Sequence, residues 1–219
     1  MVGNINSTIK PDPKYYSRIR KWPSLFKIKP ESNILDIGCG VGLLGAYLKE
    51  RYCANVTGVE IIKENCEIAR HHLDSVHNCD VATAEITQFK NHYDVVMFSD
   101  SLEHMIEPEK VLNFIKPLLS PFGRVLISIP NVRNFRVTFP LLFKDEWRYE
   151  EEGLLDYTHL RFFTEKSMRR MLEDCGYSVT KIYLDLPMTS KVGIINIITF
   201  GLFRNHLTSH YFIESCLKK

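Results

Sequence analysis

The stretch Asn33-Ile-Leu-Asp-Ile-Gly-Cys-Gly-Val-Gly42 joins a short apolar run to three closely spaced glycines. The apolar run predicts a buried strand, and the apolar side chains that follow at helical spacing predict a helix. Those side chains are Leu43, Leu44, Tyr47 and Leu48. Glycine suits the turn between strand and helix because the chain must bend tightly and let a ligand lie against bare backbone. The helix N-terminus would offer unpaired N–H groups to that ligand.

Strands and helices alternate along the first 130 residues. Helices are predicted over 63–72 and 111–119, with a break at 120–123, and the strands are expected at 33–37, 55–60, 75–79, 93–99 and 124–129. This alternation is typical of βαβ units, so we expect a doubly wound, Rossmann-like α/β fold with helices on both faces of a mostly parallel sheet. Strands at 177–186 and 210–217 lack a long crossover helix between them. They predict an antiparallel edge and about seven strands in all.

The alternation of strands and helices stops after Pro130. Residues 131–163 show no clean unit, and such a long excursion is typical of a lid or a substrate-side insertion. Regular structure resumes at Thr164, a predicted N-cap of a helix that ends at Gly176. We therefore expect one domain over residues 1–219, with residues 1–30 as a basic lead-in.

Composition excludes several classes of protein. The net charge is +2 and 45% of residues are hydrophobic, which is typical of a globular domain and not of a polyanion binder. The lead-in carries seven Lys or Arg against one acid, yet it lacks the glycine and aromatic pattern of an RNA module, so no nucleic acid partner is predicted. No apolar run is long enough to cross a membrane, and the N-terminus lacks a signal sequence. The six cysteines form no C-x-x-C pair, which predicts a reducing cytoplasm and no metal site.

The glycine turn allows two interpretations. Gly40, Gly42 and Gly45 satisfy G-x-G-x-x-G, and Glu60 follows Gly40 by 20 residues, as in nicotinamide-dependent enzymes. However, Asp36 would repel a pyrophosphate at the mouth of the turn and would suit an ammonium group. This favours an amino-acid-bearing nucleoside whose ribose hydroxyls bind Glu60.

These residues resemble the class I S-adenosylmethionine-dependent methyltransferases, whose first motif matches residues 34–42. The resemblance continues, in order, through Glu60, Cys79-Asp80-Val81, residues 98–104 and the turn at 121–128. Arg18 stands where related quinone O-methyltransferases place a cofactor-contacting arginine. The resemblance implies methyl transfer, S-adenosylmethionine as cofactor, and a cofactor site formed by Arg18, Asp36, Gly38, Cys39, Gly40, Glu60, Ile61, Asp80, Val81 and Ser99.

A second segment bears on the methyl acceptor. Residues 155–164, Leu-Asp-Tyr-Thr-His-Leu-Arg-Phe-Phe-Thr, are similar to a segment of methyltransferases encoded with sugar and polysaccharide enzymes. The resemblance implies O-methylation of a small glycosyl or other polar acceptor. Trp147 and Tyr149 are candidates to stack on a sugar ring, beside an acidic run that suits a solvated face.

Two histidines are candidate bases for an O-methylation. His104 follows the fourth strand at the carboxyl edge, where ligands of α/β sheets bind, and His159 lies in the excursion with Asp156 and Arg161. The alternative is structural: His104 caps its turn, and the other three tie the loop to the sheet. Both interpretations stay open at the level of sequence.

Three further features complete the sequence-based expectations. Cys39 is expected to present backbone to the cofactor and to pack rather than to act as a nucleophile. The apolar segment 192–203 is expected to form a buried contact or a dimer seam, or to dock toward a lipid-linked acceptor. Besides the nicotinamide-dependent enzyme, the rival function is a non-catalytic binding or scaffold protein that keeps the nucleoside pocket.

Overall fold

The computed structural model describes residues 21–89, 92–186 and 191–218, so Arg18 and most of the basic lead-in lie outside the described residues. Seven strands form one sheet in the order β3-β2-β1-β4-β5-β7-β6. The strands are β1 (Asn33–Ile37), β2 (Asn55–Glu60), β3 (Ser75–Asn78), β4 (Tyr93–Ser99), β5 (Leu119–Pro130), β6 (Tyr177–Leu184) and β7 (His210–Leu217). The helices are α1 (Leu43–Tyr52), α2 (Lys63–Ala69), α3 (Pro108–Phe114), α4 (Phe135–Lys144), α5 (Glu165–Asp174), α6 (Lys191–Ile198) and α7 (Arg204–Leu207).

Strand pairing confirms the predicted fold class. Strands β1 to β5 pair in parallel, and β7 is antiparallel to both of its neighbours, β5 and β6. The β6–β7 pair is therefore the expected antiparallel edge. The carboxyl ends of β1, β2, β3 and β4 meet at one edge, where such folds bind ligands.

Apolar side chains cover both faces of the sheet. On β1, Leu35 and Ile37 join the core layer that includes α3 and α5, whereas Ile34 faces the layer with α1 and α2. Alternate residues of one strand point to opposite faces, which explains this division. Trp22 is fully buried and stacks on Phe212 of β7, so the described end of the lead-in is packed rather than solvated.

Two predictions for the middle of the chain are wrong. Residues 131–163 do contain a regular unit, α4, whose N-cap Asn134 accepts a hydrogen bond from the backbone N–H of Arg136 at 3.0 Å. Pro140 within this helix hid it, because an interior proline usually ends a helix. The expected break at residues 120–123 is an irregularity inside β5, where the register with β4 shifts between Tyr93 and Val95.

The apolar segment after residue 190 is not buried within this chain. It forms α6 and a following turn, and its exposed members include Ile194, Ile197, Ile198, Phe200 and Leu202. The prediction of an internal buried contact is therefore wrong. Within the described ranges, every helix is too short or too polar to cross a membrane.

Candidate active site

The predicted cofactor residues that the structure describes lie along one edge of the sheet. Asp36 is on β1 and the glycines follow it, Glu60 ends β2 and Ile61 comes next, Asp80 and Val81 follow β3, and Ser99 ends β4. The four strands are consecutive neighbours in the sheet. Asp36 and Ser99, 63 positions apart in sequence, are therefore brought to a common ligand-binding edge.

Asp36 is a buried carboxylate beside a second carboxylate, that of Glu60. It is 1% exposed, and among the described residues neither of its side-chain oxygens has a hydrogen-bond partner. Burial, and then the nearby Glu60 carboxylate, raise the pKa of Asp36 from 3.8 to about 7. A buried carboxylate without donors is costly, and a cationic ligand group would relieve that cost.

The glycine turn has a backbone conformation that suits glycine, and its two first glycines differ in the space around them. Gly38 and Gly40 both have positive φ angles, 76° and 53°, which favour glycine. A side chain at Gly38 would place its Cβ 2.7 Å from the Cβ of Ser101, whereas no atom of the described residues lies within 4 Å of a Cβ built on Gly40. The backbone at Gly40 is therefore open to a ligand.

Glu60 holds the turn and the end of its own strand. Its Oε2 accepts the backbone N–H of Gly40 at 2.9 Å, and its Oε1 accepts that of Ile62 at the same distance. Each carboxylate oxygen can accept a second hydrogen bond. The predicted role toward ribose hydroxyls is therefore compatible with this anchoring role.

The part of the edge that follows β3 combines an apolar surface with an exposed carboxylate. Val81 is buried, Ile61 is 65% exposed, and Asp80 accepts the backbone N–H of Ala82 at 2.9 Å. Asn78 Nδ2 donates to the carbonyl oxygens of Glu60 and Ile61, both at 3.0 Å, and so fixes the strand ends beside each other.

Cys39 has the properties of a packing residue. Its side chain is buried and lies against Gly58, where an added Cβ would come within 2.6 Å of the sulfur. Burial, together with the carboxylates of Asp36 and Glu60, raises the pKa of the Cys39 thiol. The thiol therefore stays protonated and is a poor nucleophile.

The edge fits S-adenosylmethionine on structural grounds. The buried Asp36 carboxylate suits the ammonium group, the open backbone at Gly40 admits close approach, and Glu60 offers acceptors to the ribose. The hydroxyl of Ser99 is likewise buried without a hydrogen-bond partner among the described residues. Because its charged groups are carboxylates, this edge suits a nucleoside that carries an ammonium group better than it suits a pyrophosphate.

Both candidate histidines lie beside this edge. His104 belongs to the short helical turn Leu102–His104 after β4. The backbone N–H groups of Leu160 and Arg161 donate to the carbonyl oxygen of Glu103 at 2.8 and 3.0 Å, which docks the long excursion onto that turn. His159 therefore lies against His104, with ring centroids 4.8 Å apart.

Each imidazole is oriented through its Nδ1 atom. His104 Nδ1 lies 3.2 Å from the carbonyl oxygen of Thr158, and His159 Nδ1 lies 3.3 Å from that of Leu154. A carbonyl oxygen only accepts, so Nδ1 carries the proton and Nε2 of a neutral ring has a lone pair. Burial, and then the neighbouring His104, lower the pKa of His159.

The side chains of Asp156 and Arg161 bind the protein itself. Asp156 Oδ1 accepts the backbone N–H and the hydroxyl of Thr158, and the Arg161 guanidinium donates to the carbonyl oxygen of Ile106. The structural alternative therefore holds for Asp156 and Arg161. Both side chains serve to position the loop that carries His159.

An aromatic cluster adjoins the histidines. Phe162 contacts the rings of Trp147 and Tyr149, with centroids 5.2 and 6.4 Å apart, and lies 6.3 Å from the ring of His159. Trp147 and Tyr149 are 38% and 52% exposed, so they offer ring faces to a ligand.

Comparisons with known proteins identify the family. A sequence profile for a methyltransferase domain matches residues 13–182. The chain belongs to this family. A ubiquinone biosynthesis O-methyltransferase from Aeromonas salmonicida is 34% identical over 169 residues, which cover 73% of this chain and 70% of that protein. The chain is thus a class I methyltransferase that uses S-adenosylmethionine, in the branch that contains quinone O-methyltransferases, as predicted.

Solved structures show the same fold. An S-adenosylmethionine-dependent methyltransferase from Archaeoglobus fulgidus has a TM-score of 0.67 at 20% identity, with 92% of each chain covered. Phosphoethanolamine N-methyltransferase 2 from Haemonchus contortus, solved with S-adenosylmethionine, has a TM-score of 0.62 at 15% identity and covers 93% of this chain and 53% of that one. The methyltransferase interpretation of the glycine turn is therefore confirmed over the nicotinamide one.

Sequence reasoning missed several residues of this site. Glu103 lies between Leu102 and His104, and an acidic residue in a turn is expected to face solvent. The structure buries Glu103 completely. The sequence around Phe162 does not indicate a role in the site either, since its contact with Trp147 depends on how the loop folds back.

Proposed function

We propose that this methyltransferase transfers the methyl group to a hydroxyl oxygen of a small, ring-bearing acceptor. The observation that carries the proposal is the cluster of Glu103, His104 and His159 beside the cofactor edge. A neutral hydroxyl must lose its proton during transfer, and imidazole is the side chain best suited to taking a proton near neutral pH.

The residues of this chain would perform distinct tasks. S-adenosylmethionine, when bound, supplies an electrophilic methyl group together with its own leaving group. The protein then aligns the acceptor oxygen and excludes water. His104 is the exposed imidazole of the pair, so its Nε2 is the atom that an acceptor reaches, while Thr158 holds the ring through Nδ1. His159 packs behind it and sets the orientation of the pair.

The exposed rings of Trp147 and Tyr149 support a ring-bearing acceptor, because flat ring faces stack on one another. The Aeromonas salmonicida relative is named for ubiquinone biosynthesis, which favours a phenolic hydroxyl. A glycosyl hydroxyl, predicted from residues 155–164, is the second candidate, since the same two rings also suit the apolar face of a sugar.

The proposal also includes predictions for other parts of the chain. We infer that residues 131–163, including α4, form the acceptor side of the site, and that Arg18 contacts the cofactor. The exposed apolar residues of α6 support a seam between two copies of the chain. A single domain, a cytoplasmic location and the absence of a nucleic acid partner stay predictions from sequence.

The test is transfer from methyl-labelled S-adenosylmethionine to a panel of catechols, methyl glycosides and amines, with products identified by mass spectrometry. We expect an O-methyl product on a catechol such as protocatechuate. His104→Ala should lower kcat by about 100-fold or more, with His71→Ala, an exposed histidine in the turn after α2, as the matched control. Methylation confined to nitrogen or carbon would overturn the proposal.

A further inference from the structure

Ser101 carries a buried hydroxyl that the fold itself does not use. The residue is 7% exposed, and its Oγ has no hydrogen-bond partner among the described residues. Ser101 is the N-cap of the helical turn Leu102–His104, where a serine side chain usually accepts a backbone N–H, yet it makes no such bond. A buried polar atom without a partner costs free energy, so a ligand that supplies the partner gains affinity.

This hydroxyl lies against the glycine turn of the cofactor edge. A Cβ built on Gly38 would be 3.4 Å from Ser101 Oγ and 2.7 Å from its Cβ, so the two residues pack directly on each other. Asp36, two positions before Gly38, has two buried carboxylate oxygens that likewise lack a partner within the described part of the chain. A hydroxyl that can donate and a carboxylate that can only accept therefore border the same short turn.

The first backbone N–H groups of the turn are already engaged. Those of Gly38 and Cys39 donate to the carbonyl oxygen of Val59 at 2.8 and 3.1 Å. That of Gly40 donates to Glu60 Oε2 at 2.9 Å. A ligand carboxylate at this turn therefore needs a side-chain donor, and a serine hydroxyl can supply one hydrogen bond.

The amino-acid end of S-adenosylmethionine carries an ammonium and a carboxylate on one carbon atom. Asp36 attracts the ammonium and repels the carboxylate, so the two groups need different partners at the turn. A hydrogen bond from a neutral hydroxyl to an ionised carboxylate is stronger than one between two neutral groups. The Ser101 hydroxyl has the chemistry and the position for that second partner.

We propose that the Ser101 hydroxyl donates a hydrogen bond to the carboxylate of the cofactor, while Asp36 binds the ammonium of the same group. Two side chains from different strands' ends thus recognise the two charges separately. Ser101 is then a specificity-determining residue, because it favours a ligand that has the carboxylate over one that has the amine alone. The inference concerns the cofactor and does not depend on which acceptor receives the methyl group.

Calorimetry with two ligands tests this assignment. Decarboxylated S-adenosylmethionine keeps the adenosine, the sulfonium and the ammonium but has no carboxylate. Ser101→Ala should weaken binding of S-adenosylmethionine by about 10-fold or more and leave the affinity for the decarboxylated ligand unchanged. Asp36→Asn should weaken binding of both ligands, because both carry the ammonium.

Ser215→Ala is the matched control. The hydroxyl of Ser215 is also buried and unpartnered in the ranges that the structure describes, but it lies on β7, between β5 and β6. This variant should bind both ligands as the wild type does. Urea unfolding establishes that each variant is folded, and Ser101→Ala should be at least as stable as the wild type without ligand, since it removes an unpaired hydroxyl.

Three outcomes would overturn the inference. One is an unchanged affinity of folded Ser101→Ala for S-adenosylmethionine. Another is an equal loss of affinity for the two ligands, which would indicate a structural role of Ser101 in the turn. The third is a loss of carboxylate preference in Ser99→Ala but not in Ser101→Ala, since Ser99 also has a buried hydroxyl at this edge. All three leave O-methylation to be tested separately by the acceptor panel.

Discussion

Replacing Asp36 with Asn should produce opposite effects on the free protein and on cofactor binding. The carboxylate is buried, and its pKa is raised from 3.8 to about 7. Below about pH 4 both folded and unfolded chains hold the proton, so there is no difference between them. Between about pH 4 and pH 7 the folded chain keeps a proton that the unfolded chain releases, and stability of the free protein therefore falls as pH rises.

The raised pKa of Asp36 sets the size of the effect. Each pKa unit corresponds to about 1.4 kcal/mol, so ionised Asp36 costs the free fold about 4 kcal/mol above pH 7. About 3 kcal/mol of this develops between about pH 5 and pH 8. Asp36→Asn has no charge to bury, so its free energy of unfolding should rise relative to wild type by about that amount over the same interval.

Urea unfolding followed by circular dichroism measures this difference at both pH values, with the exposed Asp174→Asn as the control. Calorimetry should show the opposite preference, because Asp36→Asn loses the ionic partner of the ammonium group and binds S-adenosylmethionine about 10- to 100-fold more weakly. A stability difference that does not change with pH, combined with unaltered cofactor affinity, would refute the reasoning.

Four other substitutions probe the site and its scaffold. Glu60→Ala should weaken S-adenosylmethionine binding by at least about 10-fold in calorimetry, since it removes the ribose acceptors; unchanged affinity would count against that role. Gly38→Ala should destabilise the fold by more than about 1 kcal/mol in urea, because its methyl group would lie 2.7 Å from Ser101 Cβ. Gly40→Ala meets no described atom within 4 Å and is strained only by the positive φ of that residue, so it should destabilise the fold less and also weaken cofactor binding. Tyr177→Phe should cost about 1–2 kcal/mol, since its hydroxyl donates to the carbonyl oxygen of Leu112 at 2.7 Å, and leave cofactor affinity unchanged.

The cofactor half of the site was predictable because it depends on the sequence of strands along the chain. Each strand of the parallel sheet delivers its last residues to the same edge, so Asp36, Glu60 and Ser99 are placed once the strands are recognised. Strands β1 and β4 were recognisable because each is buried on both faces and reads as an apolar run.

The acceptor half depends on contacts between distant segments. His159 reaches His104 only because two backbone N–H groups of the excursion bind the carbonyl oxygen of Glu103, an interaction with no side-chain signature. The choice between a buried contact and a dimer seam for α6 could not be made from sequence for a related reason, since an apolar composition does not say which surface covers it. The helix α4 could not be predicted from sequence, because an interior proline usually ends a helix, whereas this helix continues through Pro140.

The central claim is that the amino group of the cofactor lies beside Asp36 at the glycine turn. A crystal structure of the complex with S-adenosylhomocysteine tests this most directly. The account predicts the ligand ammonium within hydrogen-bond distance of the Asp36 carboxylate, with both ribose hydroxyls at Glu60. A ligand whose amino group points away from Asp36, or one bound in a different cleft, would contradict it.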